Sequence, residues 1–314
     1  MKNKVVVVGS YNTDLTIKTT RIPSPGETII GGIFTEGGGG KGANQAVAAV
    51  RAGANVSFIA RVGNDALGKE GIQRLTEEQI DTRYIFQDCE VATGVAFIVV
   101  DEWGENSIVV ASGANARLSP DDIETVHDEI ASASVLLVQL ESPIETIRAA
   151  IKKSHEKGGI VILNPAPAQP LGADILNQID IITPNEVEAE MITGIKVTDE
   201  ESLHSIVKKF FEYGIKNVLI TLGSKGVFAG LPNKMEFFPA HIVTPLDTTG
   251  AGDVFSGALA AFLSKGMLIE EAVGMAIASA SLSVTRMGAQ NSAPQLNEIE
   301  NFIAANLSSV AFNC

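Results

Sequence analysis

Six short, nearly uninterrupted runs of Val, Ile and Leu, separated by longer amphipathic stretches, set the tightest limit on what this chain can fold into. They cover residues 5–8, 56–60, 135–140, 160–163, 179–183 and 218–221. Runs that do not alternate with polar residues suit strands covered on both faces, as in a parallel sheet. Between them lie helical patterns. One spans 120–131, with Ser119 as N-cap, Pro120 at the first position and Asp121 and Asp122 in the first turn. Another runs from Pro143 to about Lys157 and stops before Gly158 and Gly159. Strands alternating with helices imply right-handed crossovers, so the expected fold is α/β, a doubly wound and mainly parallel sheet flanked by helices. With 314 residues, 45% hydrophobic and 19% charged, the chain can fill such a core.

Two segments break the rhythm. Residues 13–37 carry no helical pattern, only alternating stretches at 14–18 and 27–34 around the turn Pro23-Ser24-Pro25-Gly26. Residues 94–111 read as a hairpin, with strands at 95–100 and 108–111 and a turn at 102–106 that contains Trp103 and Gly104. Neither piece is large enough to stand alone, so the two are expected to form a small β-sheet lid. The main α/β domain then comprises 1–12, 38–93 and 112–314, with the discontinuous lid at 13–37 and 94–111.

Charge removes several function classes. The chain has 23 basic and 37 acidic residues, a net charge of −14. No nucleic acid and no anionic membrane surface is expected as a partner, because both need clustered Lys and Arg. Any anionic ligand has to be held by local devices. No apolar stretch is long enough for a membrane span, and Cys89 and Cys314 make neither a disulfide framework nor a zinc site, so a reduced cytoplasm is the expected compartment. His127, His155 and His204 fall in charged helical surroundings that read as solvated surface.

Two motifs carry chemistry. Asp247-Thr248-Thr249-Gly250-Ala251-Gly252-Asp253 precedes a helical run over 254–265. Glycines ahead of a helix let main-chain N–H groups converge on an anion, and the helix N-terminus adds roughly half a positive charge. A carboxylate at Asp253 is badly placed to bind phosphate itself but well placed to take a proton from a hydroxyl attacking it. An Asp at a helix start also serves as a plain cap. The second motif, Gly37-Gly38-Gly39-Gly40-Lys41-Gly42-Ala43-Asn44-Gln45-Ala46, is a glycine run opening a helix over 43–52 that presents Lys41 and Asn44 near its start. It lacks Walker-A spacing. The first strand also leads into Val8-Gly9-Ser10-Tyr11, without the Gly-x-Gly-x-x-Gly of a Rossmann dehydrogenase.

Taken together, the two motifs resemble the C-terminal and N-terminal signatures of the ribokinase-type (PfkB) family of sugar kinases, and the similarity runs over essentially the whole chain. The resemblance implies a ribokinase-like fold and ATP-dependent transfer of phosphate to a sugar hydroxyl. Asp253 is the expected general base, with an anion hole at Gly250, Ala251, Gly252 and Asp253. D-ribose, phosphorylated at O5 to give D-ribose 5-phosphate and ADP, is the expected substrate. A kinase for 2-deoxyribose, another sugar or a nucleoside is the alternative. A non-catalytic sugar-binding regulator is the alternative from a different class, against which the intact Asp253, Asn185 and Glu188 count.

On the sugar side, Gly9-Ser10-Tyr11-Asn12-Thr13-Asp14 follows the first strand, at the carboxyl end where such folds place ligands. Asn and Asp are equally favoured in a plain turn there. The resemblance assigns Asp14 to O2 and O3 of the sugar, with Asn12, Gly40, Lys41 and Asn44 completing the pocket and Glu141 on the substrate side. For ATP it implies contacts from Asn185, Thr221, Gly223, Ser224, Gly226 and Gly252. Glu188 would hold Mg²⁺ through its water shell. Asn185 and Glu188 would also suit simple helix capping. A K⁺ site as activator is implied at Asp247, Thr249, Ser283, Arg286, Gly288 and Ser292, where Arg286-Met287-Gly288 alone would read as a helix stop. A homodimer through the lid is implied as well.

Overall fold

The computed structural model describes residues 3–311, so Cys314 lies outside the described residues. Among the described residues, thirteen strands form two sheets. In chain order they are β1 (Lys4–Val8), β2 (Asn12–Lys18), β3 (Ile33–Gly39), β4 (Asn55–Gly63), β5 (Ile85–Asp88), β6 (Gly94–Val100), β7 (Asn106–Ala111), β8 (Val135–Val138), β9 (Ile160–Leu163), β10 (Ile181–Ile182), β11 (Asn217–Thr221), β12 (Gly226–Leu231) and β13 (Lys234–Pro239). The large sheet has nine strands in the order β13-β12-β11-β10-β9-β8-β1-β4-β5. It is parallel from β5 through β11, and β12 and β13 close one edge as an antiparallel meander.

Val5 and Val7 of β1 point into a core shared with the helices Lys41–Arg51, Ala251–Ser264 and Ile269–Ser283. Val6 and Val8 point into the opposite core, packed by the helices Ile144–His155 and Glu200–Glu212. A strand buried on both faces needs apolar residues at every position, which is why these runs do not alternate. The order reverses at β1, which pairs with β4 on one side and β8 on the other. A crevice opens at such a switch point, beyond the carboxyl ends of the strands.

The second sheet has the order β3-β2-β6-β7, with the β2/β6 pair parallel and its two outer pairs antiparallel. It joins the two expected lid segments into one four-stranded layer. The expected strand at 27–34 is displaced: the strand is Ile33–Gly39, so Gly37, Gly38 and Gly39 belong to the lid rather than to a loop before the helix. The expected helix at 120–131 is two short helices, Pro120–Thr125 and His127–Ala131. The Thr125 hydroxyl bonds back to the carbonyl of Asp122 at 2.7 Å, which competes with the helical ladder where the break occurs. Ser119 caps the first of them in a reciprocal capping box with Asp122.

Two strands are shorter than their apolar runs. β8 ends at Val138, and β10 is confined to Ile181–Ile182 because Asp180 accepts the Val161 N–H with its side chain at 2.8 Å. No helix among the described residues is long and apolar enough to cross a membrane.

Candidate active site

The helix Ala251–Ser264 starts from Gly250, held in the left-handed region at φ 75°. Its first intrahelical bond is Val254 N–H to the Gly250 carbonyl at 2.9 Å, so the N–H groups of Gly252 and Asp253 lie ahead of the ladder. The Ala251 N–H leans back to the Thr248 carbonyl at 3.3 Å. Asp253 therefore occupies the first turn, buried, at the positive end of the helix.

Helix Lys41–Arg51 lies against this helix because Gly257 has no side chain: a Cβ there would come within 2.4 Å of the Gln45 carbonyl oxygen. That approach brings Asn44 and Gln45 to Asp253. Asn44 Nδ2 donates to Asp253 Oδ2 at 3.0 Å, and Gln45 Nε2 donates to Asp253 Oδ1 at 2.9 Å. Asn44 Oδ1 is buried with no hydrogen-bond partner among the described residues.

At the start of the same helix, the Lys41 N–H donates to Glu141 Oε2 at 2.9 Å, and the Ser10 hydroxyl donates to the same oxygen. Glu141 thus satisfies an orphan donor at a helix N-terminus and joins the ends of β1 and β8. The Lys41 ammonium is half-buried and held above its ordinary range, chiefly by Asp253 and further by Glu141 and Glu188, against the effect of burial.

A cavity of about 640 Å³ collects the nucleotide-side residues expected from the sequence, together with the anion-hole residues and Lys41, which was expected on the sugar side. Lys41, Asn185, Glu188, Thr221, Gly223, Ser224, Gly226, Gly250, Ala251, Gly252 and Asp253 all line it. A Cβ on Gly252 or on Gly223 would meet nothing within 4 Å, so the main chain at both is open to an incoming group. Asn185 caps the helix Glu186–Thr193 through a capping box with Glu188: Asn185 Nδ2 and N–H each donate to the Glu188 carboxylate at 2.9 Å. Capping and lining coexist, since the capping box fixes the carboxylate on the cavity wall. Burial raises the Glu188 carboxyl above its usual range, with the Asp253 charge acting the same way.

Asp14 lies elsewhere, in a cleft of about 980 Å³ between the lid sheet and the loops at 246–249 and 287–291. Burial, then the charges of Glu141 and Asp253, push its carboxyl up to about 6. Asn12 is buried next to it, its Oδ1 accepting from Asn115 Nδ2 at 2.8 Å. Gly40 joins β3 to the helix at φ 85°. Asp247 ties the two loops of the implied cation site together, accepting from Thr249 N–H at 2.9 Å and Gly288 N–H at 2.8 Å. Those bonds hold its carboxyl below the usual range although burial acts the other way. Arg286 turns aside to pair with Glu298 at 2.6 Å, and the hydroxyls of Ser283 and Ser292 bond to nearby carbonyls.

Gln139, Asn164 and the loop that carries His241 belong to no motif that the sequence displays. Gln139 and Asn164 belong to a buried polar chain behind Asp253. A polar residue inside the apolar run 135–140 was the available signal for Gln139. His241 lines the nucleotide-side cavity and packs edge-on against Phe302 at 5.0 Å. Cys89 is exposed and free.

The chain is similar over nearly its whole length to known carbohydrate kinases. Residues 2–296 match the family model described as pfkB family carbohydrate kinase. The chain is 43% identical over 303 residues to a ribokinase of Haemophilus influenzae, covering 96% of this chain and 99% of that one. It is 34% identical over 303 residues to a deoxyribokinase of Salmonella typhi, covering 96% and 99%. Among solved structures, an Arabidopsis thaliana ribokinase complexed with ribose and ATP superposes with a TM-score of 0.89 at 33% identity, covering 96% and 99%. A putative ribokinase II from E. coli in complex with ATP and Mg²⁺ gives 0.81 at 25% identity, covering 96% and 99%.

Proposed function

The chain belongs to the pfkB family of carbohydrate kinases, and within it we propose that this protein transfers the γ-phosphoryl group of ATP to O5 of D-ribose. The observation that carries the reading is Asp253 itself. It lines the cavity whose wall holds the nucleotide-side residues, at a helix N-terminus, with both carboxylate oxygens held by amide donors. In the reaction, ribose O5 forms a bond to the γ-phosphorus as the bond to the β,γ-bridging oxygen breaks, and ADP leaves. Asp253 takes the O5 proton in that step. The N–H groups of Gly252 and Asp253 lie where charge on the transferred group can be met by fixed donors. Lys41 adds a positive charge on the same wall, which lets a protein of net charge −14 hold a polyanion.

The residues present also suit Mg²⁺. Among the described residues no cluster of three or more His, Cys, Asp or Glu is arranged to hold a metal by itself. Magnesium usually enters with substrate phosphates and one or two carboxylates, and Glu188 offers a carboxylate on the cavity wall, held there by its bonds to Asn185. When bound, the ion supplies charge neutralisation along the polyphosphate.

Ribose is preferred over 2-deoxyribose because Asp14 offers two oxygens to vicinal hydroxyls, with Asn12 beside it. A K⁺ activator at the Asp247 and Gly288 loops, a cytoplasmic location and a homodimer complete the proposal, as does the division into a main domain and a lid. For the homodimer, the support is the face of the lid turned away from the cleft, where Ile17, Phe34, Phe97 and Val109 are exposed. An apolar sheet face of this kind fits a second copy of the same face. The deciding test is ADP release measured across D-ribose, 2-deoxyribose, fructose and adenosine. Ribose should give the highest kcat/KM, and a higher value for any of the others would replace it as the substrate.

A further inference from the structure

Behind Asp253 runs a chain of fully or nearly buried amides that no step of the reaction uses. Gln45 has no exposed surface, and each of its polar atoms is engaged. Its Nε2 donates to Asp253 Oδ1 at 2.9 Å and to Asn164 Oδ1 at 3.0 Å, and its Oε1 accepts from Gln139 Nε2 at 2.6 Å. Asn164 in turn donates to the Thr183 carbonyl at 3.0 Å, which anchors the chain to the end of the sheet. We propose that Gln45 is a positioning residue for the reaction: it fixes the plane of the Asp253 carboxylate, and Gln139 fixes Gln45.

The chemistry of the amide makes the arrangement directional. Turning the Gln45 carboxamide over would set its oxygen against two acceptor oxygens and its NH₂ against the NH₂ of Gln139. Both errors would be buried, so the flipped state is strongly disfavoured. With Asn44 holding Oδ2 and Gln45 holding Oδ1, rotation of the carboxylate would break a charge-assisted bond whichever way it turned. A base held this way meets the incoming hydroxyl in one orientation, and misplacement by about 1 Å is enough to cost ~10²-fold in rate. Gln139 has room at the end of β8 because Gly9 lacks a side chain, since a Cβ there would lie 2.1 Å from Gln139 Oε1.

The proposal rests on the reading of Asp253 as the base, and the test separates the two. Gln45→Met and Gln139→Leu are measured alone and combined with Asp253→Asn, following kcat, KM, D-ribose affinity by calorimetry and thermal unfolding. Gln45→Met should lower kcat about 10- to 100-fold while D-ribose affinity changes less than about threefold. Gln139→Leu should lower kcat by less, in the same direction. Neither should lower the residual rate of Asp253→Asn further, because a residue acting through Asp253 is non-additive with its loss. A folded Gln45→Met with wild-type kcat, or a loss that multiplies onto Asp253→Asn, overturns the proposal. If Gln45→Met does not fold, Gln139→Leu decides by the same readouts. Full turnover in Asp253→Asn removes the base and the positioning role together. An inactive Asp253→Asn beside a fully active Gln45→Met removes only the latter.

Discussion

The Asp14 carboxylate lies directly over Gly39 on the neighbouring strand: a Cβ on Gly39 would stand 2.1 Å from Oδ1 and 2.3 Å from Oδ2. No side chain fits there without moving the acid. Asn12 pairs with the same glycine in the β2/β3 ladder, so the missing side chain is what lets the sugar-side residues sit low against the lid strand.

Gly39→Ala should therefore reproduce much of the effect of Asp14→Ala. Both should raise the KM for D-ribose by about tenfold or more, the scale of a lost charged hydrogen bond. The KM for ATP should stay close to wild type, since Asp14 lines the lid cleft and not the nucleotide-side cavity. Steady-state kinetics with each substrate varied in turn measures this, and an effect confined to ATP would contradict the pocket assignment.

The same acid gives the protein a pH dependence. Its carboxyl is raised to about 6 from the ordinary 3.8, by burial and by Glu141 and Asp253. Sugar hydroxyls donate to the ionised form, so D-ribose affinity should fall as pH drops through about 6, with proton release on binding near that pH. In the free protein the sign is opposite: between about 4 and 6 the folded state holds the proton more tightly, and stability from this group declines as pH rises. Asp14→Asn should accordingly raise the melting temperature more at pH 8 than at pH 5, while weakening D-ribose binding at pH 8. Equal shifts at both pH values would count against it.

Much of the site was legible because its parts are short continuous motifs. Asp247 through Asp253 and Gly37 through Ala46 each read as a loop entering a helix, and the structure sets the ends of both helices side by side. The runs at 5–8 and 160–163 are strands almost to the residue. What was not legible depends on contacts distant in sequence. Gly37–Gly39 look like loop residues by propensity, yet they form a strand over which Asp14 and Gln290 lie. β12 begins with Gly226 and contains Gly230, which hid it as a strand; its burial comes from packing against the helix Glu200–Glu212, where a Cβ on Gly230 would strike Val207. Gln45 sits inside a recognised motif, but only the fold brings it to Gln139 and Asn164.

Asp247 joins the two loops of the proposed cation site, so activity should be higher in K⁺ than in Li⁺ or in cation-free buffer. Asp247→Ala should shrink that difference, because the Thr249 and Gly288 N–H groups lose their shared acceptor. Rates compared at constant ionic strength check this, and identical rates in the two cations would refute the site.

A charge placed in the exposed lid face should separate the proposed dimer. Phe97→Asp should shift the protein from twice the chain mass to 33.0 kDa in light scattering, with the main fold intact by circular dichroism. A wild-type protein already monomeric at micromolar concentration would remove the proposal.

Proton transfer at Asp253 is the central step, and the most direct measurement of it is kcat beside D-ribose affinity for Asp253→Asn. The substitution keeps the shape and still offers an oxygen to one of the two donors, Asn44 or Gln45, but removes the group that takes the proton. Turnover should fall by at least ~10² with D-ribose still bound within a few-fold of wild type. Turnover near wild type in a folded Asp253→Asn protein would contradict it.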